Sequence, residues 1–136
     1  MNKTTSYLSG HKYLSLFLWL VAIHSFLVGI GLIVLPLPLL KLFGYGVCAE
    51  RFFPSQGGVF HIAMAVGYAM GAYNLKSYEC LIIFSIIVKF IATVFLFTYF
   101  FLVSSIWLVL LSGISDFLMG LIVLILYRFA KNAGEL

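Results

Sequence analysis

From Cys80 to Tyr127 the sequence is one apolar run broken by only two charges, Lys89 and Asp116. About 20 helical residues cross a hydrocarbon core of about 30 Å, so a stretch this long has to fold back on itself. Val103-Ser104-Ser105 divides it into usable halves, and Trp107, a side chain that favours membrane interfaces, follows at once. A helical hairpin is therefore expected, with spans over about 80–102 and 106–127. Lys89 and Asp116 each stand roughly 13 residues, about 20 Å, from its apex, and so at matching depth near the bilayer midplane.

The match extends along both helices. Ser85, Lys89 and Thr93 recur every fourth residue, as do Ser112, Asp116 and Gly120, and each set makes one face. Mirrored about the turn, Thr93 meets Ser112, Lys89 meets Asp116 and Ser85 meets Gly120, with small residues permitting close approach. An unpaired charge in hydrocarbon costs from about 3 to well over 10 kcal/mol, so pairing is the expectation. Two readings of the pair stay open: a structural salt bridge that locks the hairpin, or part of a working site.

The rest of the chain agrees with a membrane setting. Its 136 residues have a mean hydropathy of +1.18, with 64% hydrophobic and 9% charged, which leaves no polar surface for a soluble domain. Two further spans, about 13–35 and 55–73, complete an all-α, integral membrane, up-down-up-down four-helix bundle. With residues 1–136 forming one domain, no room remains for a separate catalytic module. A dispersed formal charge of +4 excludes nucleic acid as a partner and leaves membrane lipid as the surrounding one. The first span is longer than the apolar core of a signal peptide and is read as retained. Asn2-Lys3-Thr4 fits a glycosylation pattern only by chance.

Between the spans, Pro36 ends the first helix, and Pro36–Gly44 is too apolar for water and too short to cross, so it is expected in the interface. Glu50 and Arg51 are expected to form a local ion pair, in preference to contacting a lipid headgroup. Ala63, Gly67 and Gly71 form a small-residue stripe on the second span, expected to seat a neighbouring helix of the chain or else of a second copy. Cys48 and Cys80 fall at opposite membrane faces and cannot bridge.

His24 and His61 give the first two spans one ionisable group each, so that with Lys89 and Asp116 every helix contributes to the buried polar region. Such a cluster handles protons or a polar ligand, or is a self-satisfied structural network. A metal is not expected, because the histidines sit at unequal depths with a lysine nearby. No serine stands in a nucleophile pattern, so no catalytic residue is assigned. The many aromatic residues suit core and lipid packing, and also a flat apolar ligand such as a quinone or sterol.

Arg51, the segment GGVFHIAMAVGYAMGAYN, Lys89 in IIVKFIA and Asp116 in SDFLMG together resemble the small four-helix membrane proteins grouped as DoxX-like. The resemblance implies the bundle fold and, from some members, a quinone-linked redox complex in which this chain would be a subunit. It transfers no catalytic residue. The leading functional expectation is a non-enzymatic accessory or apolar-ligand-binding bundle, with a quinone-linked subunit and an oligomeric, proton-coupled carrier as alternatives. A protein partner or a homo-oligomer fits each.

Lys3, Lys12, Lys76, Arg128 and Lys131 flank one membrane face and Lys41 and Arg51 the other, which puts both termini in the cytoplasm of a bacterial inner membrane. An impermeant thiol reagent on intact cells should therefore label Cys48 but neither Cys80 nor a cysteine placed at Lys76. Labelling at position 76 would invert the topology.

Overall fold

The computed structural model describes residues 3–44 and 50–136, residues 3–9 by backbone alone. The regular structure among them is helical: α1 (Lys3–Val34), α2 (Leu37–Leu42), α3 (Phe52–Tyr73), α4 (Glu79–Leu102) and α5 (Trp107–Asn132). Three helices are long and apolar enough to cross a membrane: α1 from Gly10 to Val34, α4 and α5. The helix expected at 55–73 is present as α3, but Gln56, His61 and its glycines dilute its apolar residues, and its composition does not by itself demand hydrocarbon.

Helix ends follow hydrogen-bonding chemistry rather than hydropathy. α1 begins before the expected Tyr13 and α5 outlasts the expected Tyr127, because polar turns close backbone hydrogen bonds as well as apolar ones do. α3 starts at Phe52 and takes Pro54 into its first turn, where a missing N–H leaves no bond unmade. Within the apolar stretch after Pro36, Leu37–Leu42 winds into α2, which buries Leu40 and exposes Leu39 and Leu42. The expected local pair of Glu50 and Arg51 is not made. Arg51 Nη2 instead donates to the carbonyls of Ile33 (2.5 Å) and Leu35 (3.1 Å) at the end of α1. Those carbonyls lack helical donors and carry the negative end of the helix dipole, so they compete successfully for the guanidinium. Cys80 is a free, exposed thiol at the start of α4, whereas Cys48 and Asn2 lie outside the described residues.

The four long helices form a ring in which α1 packs on α3 and α5, and α4 packs on α3 and α5. Neighbours run antiparallel. At one end, the Lys131 end, Glu79 Oε1 accepts from Tyr127 Oη (2.6 Å) and Lys131 Nζ (2.7 Å), and the His11 amide donates to Glu135 (2.6 Å). Arg51 marks the opposite end. Packing is uneven between the halves. Leu14, Leu18, Leu75 and Ile82 are all 0% exposed and belong to the Lys131 half, as do Val21, Ile86, Val123 and Tyr127. In the Arg51 half α4 buries no residue after Thr93, and α5 none before Gly113.

The buried face of α3 passes through Gly58, Ala65, Tyr68 and Ala72, and that of α5 through Gly113, Gly120, Val123, Tyr127 and Ala130, the spacing by which a helix keeps one stripe against its neighbours. The stripe of Ala63, Gly67 and Gly71 is not the seam within the chain. Ala63 is exposed, a Cβ at Gly67 would meet nothing within 4 Å, and only Gly71 is buried, near Leu81 and Ile82. The close approach is made by Gly29 of α1 and Gly58 of α3. A Cβ at Gly29 would lie 2.7 Å from the Gly58 carbonyl oxygen, and one at Gly58 would lie 2.6 Å from that of Gly29.

These contacts order three substitutions. Gly29→Ala and Gly58→Ala push a methyl group onto a backbone oxygen that cannot swing away, and each should cost about 1–3 kcal/mol. Gly67→Ala meets open space and should gain up to about 1 kcal/mol from helix propensity. Thermal unfolding in detergent measures all three.

Candidate functional site

The chain concentrates its buried polarity where the close-packed half ends. Lys89 Nζ of α4 meets Asp116 Oδ1 of α5 at 2.5 Å, with side-chain exposures of 5% and 15%. At that separation in a poorly polarisable interior the attraction is large enough to offset much of the cost of removing both ions from water. The ammonium also lies 5.7 Å from the centre of the Tyr68 ring, whose π face favours a cation.

The hairpin register differs from the expected mirror by about one helical turn. Gly120, not Asp116, stands opposite Lys89: a Cβ there would come within 3.0 Å of Lys89 Cβ. Gly113 against Leu96 and Phe97 repeats the same offset. The cause is the turn itself, since α4 stops at Leu102 and α5 resumes only at Trp107, which centres the hairpin on Ser104 and Ser105. Lys89 covers the difference with its flexible stem, and Gly120 leaves room for that stem. Thr93 and Ser85 do not face Ser112 and Gly120 as partners. Thr93 Oγ1 donates to the Lys89 carbonyl (2.8 Å) and Ser85 Oγ to that of Ile82 (2.7 Å), the local bonds by which a hydroxyl satisfies itself inside an apolar helix.

The histidines join this layer. Ser15 Oγ donating to the Ala72 carbonyl (2.7 Å) and the contact of Gly29 with Gly58 share one antiparallel register, which sets His24 opposite Ala63 and His61 opposite Phe26. Followed round the ring through Gly71 against Ile82 and Gly120 against Lys89, the His61 level reaches α5 beside Asp116. All four ionisable residues thus lie within about one helical turn, ~5 Å, of a common level. The unequal depths expected of the two histidines are not found, because the antiparallel register carries His61 to the height of Asp116.

Their orientations differ. His61 precedes Ala65, Tyr68 and Ala72 on the inward stripe of α3 and is partly buried there. His24 is exposed. It continues the seven-residue stripe of Gly10 and Phe17, and Gly10 abuts Phe129, so this flank of α1 borders α5. Among the described residues neither imidazole has a hydrogen-bond partner in the chain, and no three His, Cys, Asp or Glu side chains are close enough to hold a metal ion. Tyr68 was absent from the residues singled out by sequence. Its signal was available in the alternating spacing of His61, Ala65, Tyr68 and Ala72.

Interdependence of the pair is measurable. Asp116→Asn leaves a buried ammonium without its counter-charge and should cost about 3–5 kcal/mol, whereas Lys89→Met with Asp116→Leu should be close to neutral for folding. Thermal stabilities of both single variants and the double variant close the cycle, and additive losses would show that the two residues do not interact.

No protein-family model, curated protein or solved structure matches the chain, and the DoxX-like resemblance gains no support from them.

Proposed function

We propose that this is a small integral membrane protein whose four long helices all cross the bilayer, and that it works without catalysis as a binding bundle for a small, mainly apolar ligand. The observation that carries this reading is where the packing stops. Large side chains fill the Lys131 half up to the ion pair, and beyond it the inward faces of α4 and α5 bury nothing more than Thr93 and Gly113. A polar layer beside a half in which the apolar faces of α4 and α5 are not closed over suits such a ligand, apolar walls giving affinity and a few polar groups orientation.

The weaker hydropathy of α3 fits a crossing helix, because the polar residues in its middle turn inward, whereas the exposed Gln56 stands near its Arg51 end. His61 and Tyr68 are on the ring side, while Val59, Phe60, Val66 and Met70 are the exposed ones. A second reading, a proton-coupled carrier acting as an oligomer, draws support from two imidazoles at the level of an ion pair that have no hydrogen-bond partner among the described residues.

Native mass spectrometry of the protein released from nanodiscs separates these. An apolar adduct in one-to-one ratio, lost in the folded Lys89→Met, Asp116→Leu variant, is the expected result, and a quinone as that adduct would assign the redox role. A symmetric oligomer that passes protons in liposomes and carries no adduct would favour the carrier. A ligand-free monomer would overturn both.

A further inference from the structure

We infer that the protein pairs with a second copy of itself along the outward face of α1, and that His24 fixes the register of that contact. The inference goes beyond the binding reading and requires only that α1 crosses the membrane. Its starting point is a polar side chain that faces hydrocarbon. His24 is exposed, and it stands about 15 Å from one end of the span Gly10–Val34 and about 21 Å from the other. An imidazole is too short to reach either headgroup layer from there, and acyl chains offer it no hydrogen-bond partner.

The chain does not supply that partner either. Among the described residues no hydrogen bond reaches the imidazole. At the same level Ser25, Tyr68 and Lys89 are buried, and Asp116 is engaged with Lys89. Ser112 and Ser115 of the neighbouring α5 are partly buried and make no bond to it.

His24 also belongs to a repeat. One stripe of α1 reads Phe17, Leu20, His24, Leu27, Gly31 and Val34, with alternating steps of three and four residues. This is the spacing by which parallel helices interlock. Leu20, Leu27 and Val34 are exposed, so the column lies open. A Cβ at Gly31 would meet only Leu35 within 4 Å, so a second helix can come close there.

Symmetry and the bonding of imidazole decide what covers this face. Two copies inserted with the same topology run their α1 helices parallel, so each residue meets its own counterpart at its own depth. Pairing therefore favours a polar group that is complementary to itself. A neutral imidazole is, because it has one N–H donor and one bare nitrogen, and across a two-fold axis one ring donates to the other. An ammonium or a carboxylate in this place would repel its copy. A single polar residue in an otherwise apolar interlocking stripe is also what sets register and oligomer size in parallel helix pairs. A foreign helix would have to bring its own donor or acceptor to this depth, a match that a second copy has by construction. The outward face of α3, with Ala63 and Gly67, presents no polar group at this depth that needs a partner.

The test uses the full chain carrying Cys48→Ser and Cys80→Ser, reconstituted in lipid vesicles. Oxidation should join two copies through Leu20→Cys or Leu27→Cys, and not through Gly67→Cys. Energy transfer between copies labelled separately with donor and acceptor dyes, followed as lipid is added, measures the dissociation constant. His24→Leu should raise it roughly three- to thirtyfold, the loss of one interhelical hydrogen bond. His24→Asn keeps a donor and an acceptor and should retain most of the wild-type association. Since His24 faces outward, the monomer of His24→Leu, measured at high lipid dilution, should keep its helical content. A wild-type chain that stays monomeric, or an unchanged dissociation constant in His24→Leu, overturns the inference. Cross-linking through Gly67→Cys in place of Leu20→Cys and Leu27→Cys puts the seam on α3 and overturns it too. None of these readouts involves a ligand, so they succeed or fail separately from the adduct that tests the binding reading.

Discussion

Taking an ammonium ion into an apolar interior costs several kcal/mol, and the same is true of a carboxylate. Only a short, well-shielded contact between them recovers most of that cost, because the attraction falls with distance while the desolvation does not. The 2.5 Å contact of Lys89 with Asp116 therefore constrains everything near it. The two helices must hold one register. Gly120 must stay small enough for the lysine stem to pass, and Thr93 and Ser85 must turn their hydroxyls onto their own helix so that no further polar group competes. The face of Tyr68 completes the enclosure from the third helix.

This constraint divides the molecule. On the Lys131 side, leucine, isoleucine and valine side chains fill the ring, and Glu79, Tyr127 and Lys131 tie α4 to α5 where the helices reach polar surroundings. On the Arg51 side, cohesion comes from the backbone. Gly29 and Gly58 bring α1 and α3 almost into contact, and Arg51 ties the start of α3 to the terminal carbonyls of α1. Close backbone packing at that seam does not require the centre of the ring to be filled. A close backbone seam between α1 and α3 therefore coexists with sparse burial on α4 and α5 in the same half.

Much of this was legible in the sequence for one reason: charge in an apolar run is costly enough to identify its partner. Lys89 and Asp116 could be matched because the run had to fold back and no other charge lay within it. The small-residue stripe carried no comparable penalty. Ala63, Gly67 and Gly71 permit close packing without requiring it, and the α1 contact fell to Gly58, which belongs to the stripe that also holds Ala65, Tyr68 and Ala72. Arg51 was misassigned for a related reason. Its alternatives, a neighbouring carboxylate and a helix end, are both good acceptors, and only the folded chain decides which is nearer.

What the sequence by itself determined is the number of long helices, the turn at Ser104 and Ser105, and the identity of the buried ion pair, because each follows from the local balance between apolar burial, backbone hydrogen bonding and the cost of a charge. Tertiary structure alone decided the packing register of α1 against α3, the common level of His24, His61, Lys89 and Asp116, and the side of α3 that faces inward. Each of these depends on how two helices settle against each other. Sliding by a turn changes few residue types in contact, so its free energy is set by packing of whole surfaces, and no local stretch of sequence contains that sum.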